Sequence, residues 1–199
     1  MDSDYDIVFF PPTSVDYNNH NVISNRHESF IKLIENYQHN QESELEIRYK
    51  WYAPWSRLIR KKIVIDHNIK FDTVLASNDV LFSTYIGFYA KKIVVDTNTI
   101  YTTTARKGSL TQNPTVNHLR SRIEVLIRNN RFLSNHKLDK LKNAYIRWLL
   151  PILAYYGLYE FLKAILFIIT KQENPLFGFA DEVANLCLTL KKSKHMFKR

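Results

Sequence analysis

Residues 41–51 read QESELEIRYKW, and Glu44, Glu46, Arg48 and Lys50 fall there on every second position. Leu45, Ile47, Tyr49 and Trp51 fill the positions between. On a β-strand, successive side chains point to opposite faces, so the two acids and two bases would share one face and the apolar residues would face the core. Carboxylates at i and i+2 suit a hard divalent cation, Mg²⁺ or Mn²⁺. Bases further along the same face suit phosphate. The chemistry would be metal-assisted phosphoanhydride hydrolysis, with the ion polarising the phosphoryl group and activating water. The same alternation also describes the wet side of an ordinary antiparallel strand, and that plainer reading is the one adopted.

The short helix pattern before SELEIRYK, and that stretch itself, resemble the first strand of the tunnel-type, metal-dependent RNA 5′-triphosphatases of large DNA viruses and fungi. The resemblance covers residues 43–50 and the helix preceding them. It implies a closed barrel with Glu44 and Glu46 as ligands of Mg or Mn, and Arg48 at the basic position after the acids. The second Glu-x-Glu of that family has no counterpart, since Glu124 in SRIEVLI stands alone. An enzyme of this kind is therefore the alternative, as a degenerate tunnel protein or one completed by a partner. The main reading is non-enzymatic and needs no cofactor.

That main reading rests on bases interleaved with aromatics. The bases are Arg57, Arg60, Lys61 and Lys62, then Lys91 and Lys92, Arg106 and Lys107, Arg120 and Arg122, and Arg128 and Arg131. Trp51, Tyr52, Trp55, Phe71, Tyr89 and Tyr101 lie near them in sequence. Phosphates pair with Lys and Arg while bases stack on rings, so the pattern suits single-stranded nucleic acid. Across 199 residues, 28 Lys and Arg outweigh 19 Asp and Glu for a net +9, which favours an anionic partner: nucleic acid or an anionic membrane surface.

Other chemistries find no support. The seven His are scattered without metal-ligand spacing. Gly-rich phosphate loops and GxSxG elbows are absent from the sequence, which holds only four Gly. The single Cys187 excludes an internal disulfide and fits a reducing compartment. MDSDYDIVFF carries acids where a secretory signal carries bases, so an intracellular site, cytoplasm or virion, is expected. The abundance of Asn, Ile, Tyr and Lys, all with A/T-rich codons, points to an A/T-rich genome, viral, organellar or protist.

Residues 1–26 read as a flexible or extended arm with IVFF as a short docking strand. Residues 27–38 space Phe30, Ile31, Leu33, Ile34 and Tyr37 as an amphipathic helix. A strand is expected over 43–51. KKIVIDHN from Lys61 and KKIVVDTN from Lys91 share one pattern, β-branched residues followed by turn chemistry, and each predicts a hairpin. DVLFSTYIGFYA predicts a further strand, and residues 118–128 a strand or short helix. From 136 to 192 the composition is helical, with Pro151 and Gly157 expected to kink or split the long apolar run 145–170. Arg147, Glu160 and Lys163 interrupt that run, and Glu160 and Lys163 are one turn apart and able to pair. A buried or oligomer-forming helix pair is the preferred reading of the run, with interfacial membrane contact, aided by the basic tail, kept open. Asp181 is placed to cap a last helix burying Val183, Leu186, Cys187 and Leu190.

The expectation is an α+β protein: an antiparallel β-sheet or open barrel (27–135, with its leading helix), a helical subdomain (136–192) and a basic tail (193–199). Its expected role is that of a viral structural or assembly protein, binding nucleic acid or another anionic surface and forming homo-oligomers through 136–192. A peripheral, matrix-like membrane protein is the further alternative.

Overall fold

A computed structural model describes residues 4–106, 108–109, 113–180 and 182. The chain is α+β, as expected from its sequence pattern, and divides into two compact units, residues 1–114 and 115–199.

The first unit is built on a strand from the segment expected to be an arm. Strand β1 (Ile7–Phe9) is the centre of a three-stranded sheet ordered β3-β1-β4. Ile7 and Phe9 are fully buried. Strand β3 (Arg57–Ile59) pairs antiparallel with one edge of β1, and β4 (Ile93–Val95) pairs parallel with the other. Strands β2 (Thr13–Asp16) and β5 (Thr102–Ala105) form a separate parallel pair. The sheets are thus small and mixed, not an antiparallel meander. Three predicted β segments are helical: α2 (Gln41–Lys50), α3 (Lys61–Asp66) and α4 (Val80–Tyr89) follow the expected helix α1 (Glu28–Glu35).

The reason lies in the edges of β1. A strand has two hydrogen-bonding edges, and β3 and β4 occupy both. Ile93 lies opposite Ile7 in this ladder, whereas the look-alike KKIVID follows directly on β3 and coils into α3. Core packing follows: Phe9, Ile47, Trp51, Ile63, Phe82, Ile86 and Ile93 share one apolar cluster. Phe30 packs its ring on Trp51 and Trp55 at 4.8 and 4.6 Å.

The second unit is helical from its start. Helix α5 (Val116–Asn135) is capped by Thr115 and His118, which accept from and return bonds to each other's backbone. Leu119, Ile123, Leu126 and Ile127 fall on one helical stripe and are buried, so the weak alternation at 118–128 is helical spacing. A single 3-10 turn (Asp139–Leu141) leads to α6 (Ile146–Thr170). Asn130 pins this turn to α5: its side-chain amide donates to Asn143 O (2.9 Å) and accepts from Asn143 N (3.0 Å). The cap expected at Asp181, the helix after it and the tail 193–199 lie outside the described residues.

Candidate functional site

The charged stretch with which the sequence is most suggestive is helix α2, not a strand. Asn40 caps it by accepting from Ser43 N at 2.9 Å. Glu42 and Glu44 stand in its first turn and Arg48 and Lys50 in its last, the order the helix dipole favours. At i, i+4 the charges pair, Glu44 with Arg48 and Glu46 with Lys50. Two positions along a helix turn a side chain by about 200° at 3.6 residues per turn, so Glu44 and Glu46 diverge rather than share a face. Each carboxylate is bound to its own base. Among the described residues no group of three or more His, Cys, Asp or Glu is placed to hold a metal ion. Ile47, Tyr49 and Trp51 are buried as expected, but Leu45 is only half-buried and Arg48 is buried with the core.

Arg48 is a structural fastener. Its Nη1 donates to Gly87 O (2.9 Å) and Ala90 O (2.6 Å), and its Nη2 to Lys91 O (3.2 Å). It thereby caps the C-terminal carbonyls of α4 from α2. Gly87 allows the approach: a Cβ there would lie 2.6 Å from Arg48 O.

Several of the bases expected to bind a polyanion are buried or already paired with carboxylates. Arg57 is buried in β3 and donates to Ser83 Oγ at 2.7 Å. Burial lowers its pKa to about 10, with Asp79 pulling the other way. Arg60 pairs with Asp6 at 2.9 Å, Lys62 with Asp66 at 2.9 Å and Lys92 with Asp4 at 3.3 Å. Burial raises the Asp6 carboxyl, but the amides of Lys91 and Lys92 together with Arg60 outweigh it and hold its pKa below the usual 3.8. Lys61 and Lys91 are exposed, and Arg106 lies over the Tyr17 ring. Lys107 falls outside the described residues. On α5, Arg120 pairs with Glu160, Arg131 with Glu173, and Arg122 covers the Trp148 ring at 4.6 Å. Arg128 is half-buried on the same helix.

Charge is nevertheless sharply divided between the units. Residues 1–114 carry 13 Lys and Arg against 13 Asp and Glu, and residues 115–199 carry 15 against 6, so the whole +9 belongs to the second unit. This bias was readable from the sequence once the boundary at 115 was known.

The same unit carries the feature that sequence reading left open. Gly157, at φ 81° and ψ 179°, leaves the helical region and breaks α6 into arms over 146–156 and 158–170, whereas Pro151, also expected to kink or split the run, stands inside the first arm at helical angles. The arms fold back on each other. Tyr145 Oη donates to Glu173 Oε2 at 3.0 Å, whereas a straight helix of this length would separate its ends by about 37 Å at 1.5 Å per residue. Arg131 holds the same end, donating to Glu173 Oε1 and to Lys171 O. Near the bend, Arg120 and Lys163 both pair with Glu160, the second of these pairs as expected. One side of the hairpin is core: Leu149, Ile152, Ala164 and Ile168 pack with α5. The other side and the tip are bare. Tyr155 is 78% exposed, Tyr159 69%, Leu158 62% and Leu162 54%. Twelve successive residues, 148–159, carry no charge.

By length and composition, Asp139–Thr170 could cross a membrane, and only 17% of its apolar window is buried. Isolated exposed apolar residues are ordinary, but a large exposed apolar patch marks a contact surface for a protein, a ligand or a membrane. No protein-family model, curated protein or solved structure matches the chain.

Proposed function

We propose that the chain is a peripheral protein that binds anionic membrane surfaces through residues 115–199. The observation that carries this reading is the coincidence, in one unit, of the entire net charge of +9 and a bare apolar hairpin. An anionic leaflet attracts each nearby base by roughly 1 kcal/mol, and an apolar patch adds burial that a nucleic acid backbone does not provide. The first unit is electrically neutral, and several of its expected phosphate contacts are occupied by carboxylates. That weakens the nucleic-acid reading in favour of the lipid one.

The test is co-sedimentation of the full chain with phosphatidylcholine vesicles with and without phosphatidylserine, alongside binding to a single-stranded oligonucleotide. Vesicle binding should require phosphatidylserine and fall with salt. Replacing Lys191, Lys192 and Lys194 by Gln should weaken it about a hundredfold, at roughly 1 kcal/mol per base. Absence of binding to phosphatidylserine vesicles, or oligonucleotide binding that outcompetes them, overturns the reading.

A further inference from the structure

We infer that the Gly157 hairpin is a monotopic insertion element. Its tip, Leu153, Tyr155, Tyr156, Leu158, Tyr159 and Leu162, enters the headgroup–acyl boundary of one leaflet, and neither arm crosses the bilayer. The inference rests on the anionic-surface reading and specifies how that surface is engaged.

Three observations select this occupant for the bare tip. The first is length. The arms have 11 and 13 residues, about 16 and 20 Å at 1.5 Å per residue, against a hydrocarbon core of about 30 Å. Straightening α6 into a span would require Gly157 to return to helical angles. It would also tear Tyr145 and Arg131 from Glu173 and withdraw Leu149, Ile152, Ala164 and Ile168 from α5.

The second is side-chain chemistry. Three of the six tip residues are tyrosines, whose apolar rings and polar hydroxyls suit the boundary between acyl chains and water. The charges nearest the bend, Glu160 and Lys163, are already joined to each other and to Arg120, and the Lys163 ammonium lies 4.1 Å from the Tyr159 ring centroid. The hairpin therefore carries no uncompensated carboxylate toward an anionic surface, and Lys163 can keep its ammonium at headgroup level while its stem follows the tip inward.

The third is charge complementarity. The unit bearing the tip holds nine more bases than acids, so its approach to an anionic leaflet is attractive and its approach to another copy is repulsive. A second copy of this chain is the less favoured occupant for that reason.

The test places one thiol in the full chain, in a Cys187→Ser background, and attaches an environment-sensitive fluorophore. The positions are Leu158→Cys at the tip and Lys140→Cys in the turn at the other end of α5. With phosphatidylserine vesicles, the Leu158 probe should shift to the blue and be quenched more by nitroxides near the headgroups than by nitroxides at the bilayer centre. The Lys140 probe should stay in water. A thiol at Lys171→Cys and one at Lys140→Cys should both react with an impermeant reagent added outside sealed vesicles. Leu158→Asp should bind roughly tenfold or more weakly with an unchanged circular dichroism spectrum, because its site is exposed in the fold.

If wild type does not bind the vesicles at all, the anionic-surface reading fails and takes the inference with it. If it binds while the Leu158 probe remains in water, the charge reading stands and the insertion inference is overturned. Quenching strongest at the bilayer centre, or protection of only one of the two thiols, would mean spanning and would also overturn it. So would a Leu158 probe already dry without vesicles in a chain that sediments as a dimer.

Discussion

Replacing Arg48 by Met should strongly destabilise the first unit. The stem and its packing stay, while the guanidinium is lost. Three carbonyls at the C-terminal end of α4 then lose their donor: Gly87 O, Ala90 O and Lys91 O. Gly87 O has no substitute within the helix, because Lys91 N, four residues on, donates to Asp6 instead. Hydrogen bonds from a charged donor contribute about 1.5–3 kcal/mol each, and water reaching the exposed end near Lys91 restores part of the loss. The sum after that discount is about 3–5 kcal/mol, in the range for removing one partner of a buried charged pair. Against a total stability of about 5–15 kcal/mol this is a large fraction. Urea unfolding followed by tryptophan fluorescence reads it through Trp51 in this core and Trp55 packed against it, in a Trp148→Phe background that silences the tryptophan of the second unit. Lys50→Met, which removes only the exposed pair with Glu46, is the internal control and should cost no more than about 0.5 kcal/mol. If Arg48→Met costs under about 1 kcal/mol, its bonds to α4 are not what joins the two helices, and the account of Arg48 is refuted.

Two further outcomes follow from the same unit. Gly87→Ala should destabilise by about 1–3 kcal/mol in the same unfolding assay, because the new Cβ meets Arg48 O at 2.6 Å; helix propensity alone would predict a gain of about 1 kcal/mol, so the sign of the change decides between them. Asp6 has a folded pKa held below its unfolded one, so its contribution to stability is complete above about pH 4 and is lost as pH falls through the folded value. The urea midpoint of wild type should therefore decline more steeply below about pH 4 than that of Asp6→Asn, and parallel acid limbs would contradict the assignment.

The candidate metal site shows how one pattern supports two structures. Acids and bases at alternate positions also place Glu44 with Arg48 and Glu46 with Lys50 at i, i+4. A strand reading counts the period of two, and a helix reading counts the pairs four apart. Asn40 as a cap and the order of acids before bases were the signals that favoured the helix, and both stood in the sequence. For KKIVIDHN and KKIVVDTN no local signal separates the two. One is helix α3, and the other holds strand β4, whose ladder to β1 pairs it with residues 86 positions away.

What the sequence determined by itself was the α+β class, the helix at 28–35, the break at Gly157, the Glu160–Lys163 pair and the excess of positive charge. Each depends on local backbone preference, spacing along a single element, or simple counting. What the tertiary structure decided was which β-branched runs became strands, that Ile7–Phe9 is the centre of the first unit rather than part of an arm, and that the apolar run of α6 doubles back with one side bare. Those outcomes depend on contacts between residues far apart in the chain. The Tyr145–Glu173 bond spans 28 positions and the Ile7–Ile93 pairing spans 86, and local periodicity carries no information about partners at such distances.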